Sequence, residues 1–139
     1  MMAVGAVLNG RYELVQLLGQ GGFGEVYLAY DHNLGRKPVA IKVLHGAALR
    51  NPTVRARLLE EATTAARLGG RHVVNVTDAG DDPHAGPFLV MEYLQGSTLE
   101  EHLLRRGGRL GAHELSAIFT ELQRGLGHAH SRGVVHRDL

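Results

Sequence analysis

A glycine-rich turn that opens onto a strand, and not onto a helix, constrains this chain more than any other feature. Gly19-Gln20-Gly21-Gly22-Phe23-Gly24 is followed by Glu25-Val26-Tyr27-Leu28-Ala29-Tyr30, where Val26, Leu28 and Tyr30 alternate onto one face. A dinucleotide fingerprint needs a helix after its glycines, so that the helix amides face the pyrophosphate. A Walker-type loop needs Lys-Ser/Thr after the last glycine, and none follows Gly24. What is left is a hairpin tip whose backbone can approach phosphates closely because no Cβ intervenes. In a chain with 19 glycines the pattern alone carries little weight, and a turn that only turns stays open at this point.

The strands around it strengthen the case. Tyr12-Glu13-Leu14-Val15-Gln16-Leu17-Leu18 precedes the turn, and Val39-Ala40-Ile41-Lys42-Val43-Leu44 follows the polar segment Asp31–Pro38. Three consecutive strands imply an antiparallel meander. The third carries Lys42, one of only two lysines in the chain, on the same side as Ala40. A buried ammonium needs an anion, and phosphate or a carboxylate would serve; a snorkelling edge lysine is the plainer alternative. Asn51-Pro52 is a helix start, with Val54, Leu58, Ala62 and Ala65 on one face and Gly69-Gly70 as the stop. Glu61 shares that face, whereas Glu60 points further round toward solvent. Glu61 is therefore the partner expected for Lys42.

Val73–Thr77 and Phe88–Tyr93 read as two further strands, joined by the Gly/Pro/Asp-rich segment Asp78–Pro87. Beyond Gly96 the period becomes helical. Ser97 and Glu100 have capping-box spacing for a short helix to about Arg105. Leu115, Ile118, Phe119, Leu122, Leu126 and Ala129 trace a long amphipathic helix from about Ala112 to Ser131, ended by Gly133. His136-Arg137-Asp138-Leu139 then closes the chain, and an aspartate on such a loop can accept a proton from a hydroxyl.

Composition excludes several classes. With 15 Lys+Arg against 14 Asp+Glu the net charge is +1, so no global field holds nucleic acid or an anionic membrane. Without cysteine there is no disulfide, no thiolate zinc site and no thiol nucleophile. No apolar run approaches the length of a membrane span, and the first residues lack the pattern of a secretory leader. The nine histidines give no metal site: His128 and His130 diverge on their helix.

In this order and spacing the motifs resemble the eukaryotic-type protein kinases, and most nearly the bacterial Ser/Thr kinases. Gly10-Arg11-Tyr12, Val90-Met91-Glu92-Tyr93-Leu94 and Leu126-x-His128-x-His130-x-x-Gly133 are similar to further family segments. The fold so implied is α+β: a kinase-like N-lobe of five antiparallel strands plus one helix over residues 10–95. The first helices of a truncated helical C-lobe follow over 96–139, with ATP held between the two. By that resemblance Gly19, Gly21 and Gly24 cover the ATP phosphates, and Val26 and Ala40 cap the adenine. Lys42 binds the α/β-phosphates, held by Glu61. Met91 is the gatekeeper, while the Glu92 carbonyl and the Leu94 amide bond the adenine edge. Asp138 is the catalytic base. Thr98 stands where many members carry a ribose-binding acid.

The implied activity is phosphoryl transfer from ATP to Ser or Thr hydroxyls of a protein substrate, in the cytoplasm. The alternative is a non-catalytic nucleotide-binding or protein-interaction remnant. The family's Asp-Phe-Gly magnesium ligand and the Lys and Asn of its catalytic loop are not in this sequence. Mg2+ therefore belongs to the complete domain, no metal ligand is assigned here, and the chain as given is expected to be an inactive piece. Part of the long helix's apolar stripe is expected to be exposed.

Overall fold

The computed structural model describes residues 2–134, so His136, Arg137, Asp138 and Leu139 lie outside the described residues. Its contacts separate into two units. One comprises the chain up to residue 69 with 74–93; the other joins 70–73 to the residues from 94 onward.

The first unit is an antiparallel sheet with helices on it. Its strands are β1 (Val7–Leu8), β2 (Tyr12–Gln20), β3 (Gly24–Asp31), β4 (Lys37–Leu44), β5 (Val76–Asp82) and β6 (Gly86–Glu92), in the order β1-β2-β3-β4-β6-β5. Five strands answer the expected five, the fourth beginning at Val76 and not at Val73, and Val7-Leu8 adds a sixth, too short to show a period. Period-two alternation sorts β3 cleanly. Tyr27 and Ala29 are buried on one face, while Val26, Leu28 and Tyr30 are half-buried on the other. β4 lies between β3 and β6 and is apolar on both faces, because both are covered. One cluster gathers Leu8, Tyr12, Leu14, Tyr27, Ile41, Val43, Phe88 and Val90. The other packs Leu44 and Leu89 against Ala48, Leu58 and Ala62.

Leu58 and Ala62 belong to α2 (Pro52–Leu68), which follows the short α1 (Gly46–Arg50). As the sequence implies, Asn51 caps α2: its Oδ1 accepts from the amides of Thr53 (2.9 Å) and Val54 (3.4 Å), with Pro52 in the first turn. Gly69 takes φ +54° just past the end.

The segment Asp78–Asp82, read as connection, is strand. It pairs with β6 through Asp78–Val90, Ala79–Leu89, Gly80–Phe88, Asp81–Pro87 and Asp82–Gly86. Its polar residues hide the period because they serve as bridges to the opposite edge of the sheet. Tyr12 donates its hydroxyl to Asp78 Oδ2 (2.6 Å), and the Asn9 amide donates to Asp82 Oδ2 (2.9 Å). Asp82 Oδ1 also accepts from the His84 and Ala85 amides and so shapes the turn. Gly80 gives way to Phe88, whose Cζ would lie 2.5 Å from a Cβ at that position. Gly80→Ala is therefore expected to destabilise the fold by about 2 kcal/mol, as overpacking does; a thermal melt against wild type checks this.

The second unit holds α3 (Leu99–Arg105) and α4 (Ala112–Ser131). The capping box falls one residue later than read. Thr98 Oγ1 accepts from the Glu101 amide (3.1 Å), and the Thr98 amide donates to Glu101 Oε2 (3.0 Å). Both Ser97/Glu100 and Thr98/Glu101 match the spacing, so the pattern alone does not choose. α4 has the expected bounds and ends in a Schellman motif: Val134 N donates to Ala129 O, Gly133 N donates to His130 O, and Gly133 has φ +76°. His102 on α3 and Arg106 just past its end both bond Glu114 on α4, at 2.6 and 3.1 Å. His72 lies against α4 at Gly125, where a Cβ would stand 3.1 Å from the His72 carbonyl, and its Nδ1 is 2.9 Å from Glu121 Oε2. An apolar groove of about 290 Å3 runs between Leu99, Leu103, Leu110, Leu115, Ile118, Phe119 and Leu122. Leu115, Phe119 (53% exposed) and Leu122 are open to solvent as expected; Leu104 is exposed and takes no part in the groove. Among the described residues no helix is long and apolar enough to cross a membrane.

Candidate functional site

The hairpin joining β2 to β3 is tight. Gly19 pairs with Val26 and Gln20 with Glu25, and the turn closes through Gly21 N to Gly24 O at 2.8 Å. The glycines differ in what requires them. At Gly24 a Cβ would sit 2.5 Å from the Val43 carbonyl oxygen of β4, so the strand pairing itself excludes a side chain. At Gly19 nothing lies within 4 Å of a Cβ position, and at Gly21 only the Gly24 carbonyl does. Those two leave room for a ligand against bare backbone. Phe23, at the tip, is exposed.

Residues directly opposite in an antiparallel pair share a face. Val26 stands opposite Lys42, and Lys42 opposite Leu89; Leu28 stands opposite Ala40, and Ala40 opposite Met91. Val26, Ala40, Lys42 and Met91 therefore form one patch, apolar apart from its ammonium. α2 packs on this same face through Leu58 and Ala62, against Leu44 and Leu89. That packing brings Glu61 to Lys42: Nζ donates to Oε1 at 3.0 Å and to Oε2 at 2.9 Å. Glu61, and not Glu60, is the partner.

The expected burial of the pair is corrected. The Lys42 side chain is 32% exposed and that of Glu61 51%, because the helix covers the sheet with Leu58 and Ala62 and leaves Glu61 at the rim. A pair this open contributes about 1 kcal/mol or less to stability. Its consequence is geometric: the ammonium is fixed beside Gly24. A cavity of about 180 Å3 opens there, lined by Phe23, Gly24, Lys42, Leu44, Arg57 and Glu61 among others. Arg57 was missed in the sequence, although it stands one helical turn before Glu61 and so shares its face.

At the end of β6, Glu92 donates its amide to the Asn75 carbonyl (2.9 Å) and accepts from the Asn75 amide on Oε1 (2.8 Å). Leu94 belongs to the second unit and is exposed. Thr98 is engaged as a helix cap. Asp138 lies outside the described residues. Of the residues singled out, the first unit thus brings together Gly24, Val26, Ala40, Lys42, Glu61 and Met91 on one face and at one turn, with Gly19 and Gly21 in the adjoining hairpin. Among the described residues no cluster of three or more His, Asp or Glu could hold a metal ion.

A family model described as protein kinase domain matches residues 12–139. The DNA damage-responsive serine/threonine-protein kinase RqkA of Deinococcus radiodurans is 44% identical over 138 residues, which is 97% of this chain and 20% of that protein. The serine/threonine-protein kinase PksC of Streptomyces coelicolor is 40% identical over 141 residues, 96% of this chain and 25% of that one. Among solved structures, the PknI kinase domain of Mycobacterium tuberculosis superposes with a TM-score of 0.81 at 33% identity, covering all of this chain and 55% of the other. The chain thus spans about half of that solved kinase domain, and a quarter or less of the two full-length relatives.

Proposed function

Because this chain belongs to the protein kinase family, we propose that its described residues supply the ATP-holding half of a serine/threonine protein kinase domain. In the complete domain the γ-phosphoryl group of ATP passes to a Ser or Thr hydroxyl of a protein substrate, and we place that reaction in the cytoplasm. The observation that carries this reading is the bidentate Lys42–Glu61 pair on the same face as Val26, Ala40 and Met91. An apolar face suits an adenine ring, and a fixed ammonium suits phosphate oxygens. Lys42 is assigned to the α/β-phosphates, Glu61 to holding Lys42, and the turn at Gly19, Gly21 and Gly24 to the phosphates from above. Glu92 and Leu94 are assigned to the adenine edge, Met91 to its back wall, and Asp138 to orienting the hydroxyl.

Phosphoryl transfer depends chiefly on positioning and on metal-assisted charge stabilisation. The 139 residues contain no Asp-Phe-Gly, so this chain by itself is proposed to bind nucleotide without transferring phosphate. Calorimetry with ATP and adenosine, with and without Mg2+, tests the reading. Weak binding of both is expected, with little change on adding the metal. Absence of binding, or strong dependence on Mg2+, would contradict it.

A further inference from the structure

Behind the glycine-rich turn sits a carboxylate that the nucleotide-binding reading does not use. Glu25 follows Gly24 and is 1% exposed, on the face of β3 opposite Val26. Its Oε2 accepts from the Tyr27 hydroxyl at 2.7 Å, and its Oε1 faces Gln20 Nε2 at 3.4 Å. Gln20 is also its register partner, so this cluster ties the last residue of β2 to the first turn of β3. The Tyr27 oxygen in turn accepts from the Met2 amide at 2.9 Å, which anchors the cluster to the N-terminal segment. On the far side of the turn the His45 amide donates to the Phe23 carbonyl at 3.3 Å.

A buried carboxylate is costly unless it is hydrogen-bonded, so Glu25 holds its donors in place as firmly as they hold it. Burial drives its pKa up, but the Tyr27 hydroxyl, the Met2 amide and His45 outweigh burial and keep it below the ordinary glutamate value. Burial and Glu25 together push Tyr27 up to about 12, so its hydroxyl keeps the proton it donates. The turn itself is glycine-rich, and glycine backbone is free to take many shapes; within it, the bonds from Gly21 N to Gly24 O and from the His45 amide to the Phe23 carbonyl hold the loop. The stems set the frame in which those two bonds form.

We propose that Glu25 is a positioning residue for nucleotide phosphate: by fixing Gln20 and Tyr27 on the hairpin stems, it holds the Gly21–Gly24 backbone in the shape that meets the phosphates. This rests on the nucleotide-binding reading above. It separates from that reading because Glu25 lies on the opposite face from Val26, Ala40 and Met91, and so does not bear on adenosine.

The test compares the wild-type chain with Glu25→Gln by calorimetry against ATP and adenosine, and by amide hydrogen exchange at Gly21, Gly22 and Gly24. ATP affinity is expected to fall about fivefold, the equivalent of one hydrogen bond, while adenosine stays within about twofold. Exchange at the turn should quicken while β4 is unchanged. If Glu25→Gln fails to fold, Tyr27→Phe removes one hydroxyl at constant volume and carries the same comparison. An unchanged ratio of ATP to adenosine affinity, or an equal loss of both, would overturn the role of Glu25 and leave the nucleotide reading standing. No ATP binding by wild type would overturn both.

Discussion

Replacing Lys42 by methionine is expected to lower ATP affinity about 10- to 100-fold and to leave adenosine affinity within about twofold. Methionine keeps the length and apolar stem of lysine next to Leu44 and Leu89, so the packing under α2 survives. What disappears is the ammonium, and a hydrogen bond to a charged group contributes about 1.5–3 kcal/mol. Glu61 would lose its partner, yet it is half exposed and can be solvated, so the folding penalty should stay near 1 kcal/mol or below. The wild-type pair is thus cheap to break for the fold and expensive to break for phosphate. Calorimetry with both ligands, beside a thermal melt, separates the two effects. Parallel loss of ATP and adenosine binding would make Lys42 a structural residue and remove the main support for the proposed function.

That such a residue could be singled out from the sequence rests on contrast. Lys42 interrupts an apolar strand, and a charged group in that setting implies a partner. The nearby α2 declares its start through Asn51-Pro52 and its facing through Leu58 and Ala62, so Glu61 followed. The same logic overestimated burial, because a helix face has a rim and spacing alone does not tell rim from centre. Glu25 escaped notice for a related reason. Period two puts it on the face of Tyr27 and Ala29, but a lone carboxylate beside a glycine turn reads as a solvated end until the N-terminal segment is seen to cover it. β5 is legible only through Val76-Thr77; beyond them Asp78, Gly80 and Asp82 are turn formers by composition and are strand residues here by partnership. Two of their partners, Tyr12 and Asn9, are more than sixty residues away in sequence. Helix α4 spans Ala112–Ser131 as its sequence implies, since its apolar stripe and its Gly133 exit agree. Local signals agree there; at β5 they compete with long-range ones, and the long-range ones win.

Asp31→Ala is expected to cost about 3 kcal/mol of stability, the largest loss predicted for a single side chain in this fold. Asp31 is 2% exposed at the end of β3, and it accepts from Arg11 Nε and Nη2, both at 2.8 Å. It also accepts from the Asn33 amide at 3.0 Å and so caps the turn His32–Leu34. Alanine would remove both functions and leave the Arg11 guanidinium only the Tyr12 ring and Asp78, the latter at 3.4 Å on the open side. Asp31→Asn keeps the volume and the cap, so it should lose distinctly less. The pH dependence follows from the same geometry. The Arg11 hydrogen bonds, against the opposing effect of burial, hold the Asp31 carboxyl below its ordinary value. A carboxyl whose folded pKa is depressed contributes fully above its unfolded value, near pH 4, and loses that contribution as the pH falls through the folded value. Glu25, Asp82 and Glu114 shift in the same direction, so the acid limb of wild type contains them all. The informative quantity is therefore the difference between wild type and Asp31→Asn, measured by denaturant unfolding at pH 7, 5 and 3. It should be largest at pH 7, unchanged at pH 5 and smaller at pH 3. A difference independent of pH would show that Asp31 acts through shape and capping, and that its charge adds nothing to the Arg11 contact.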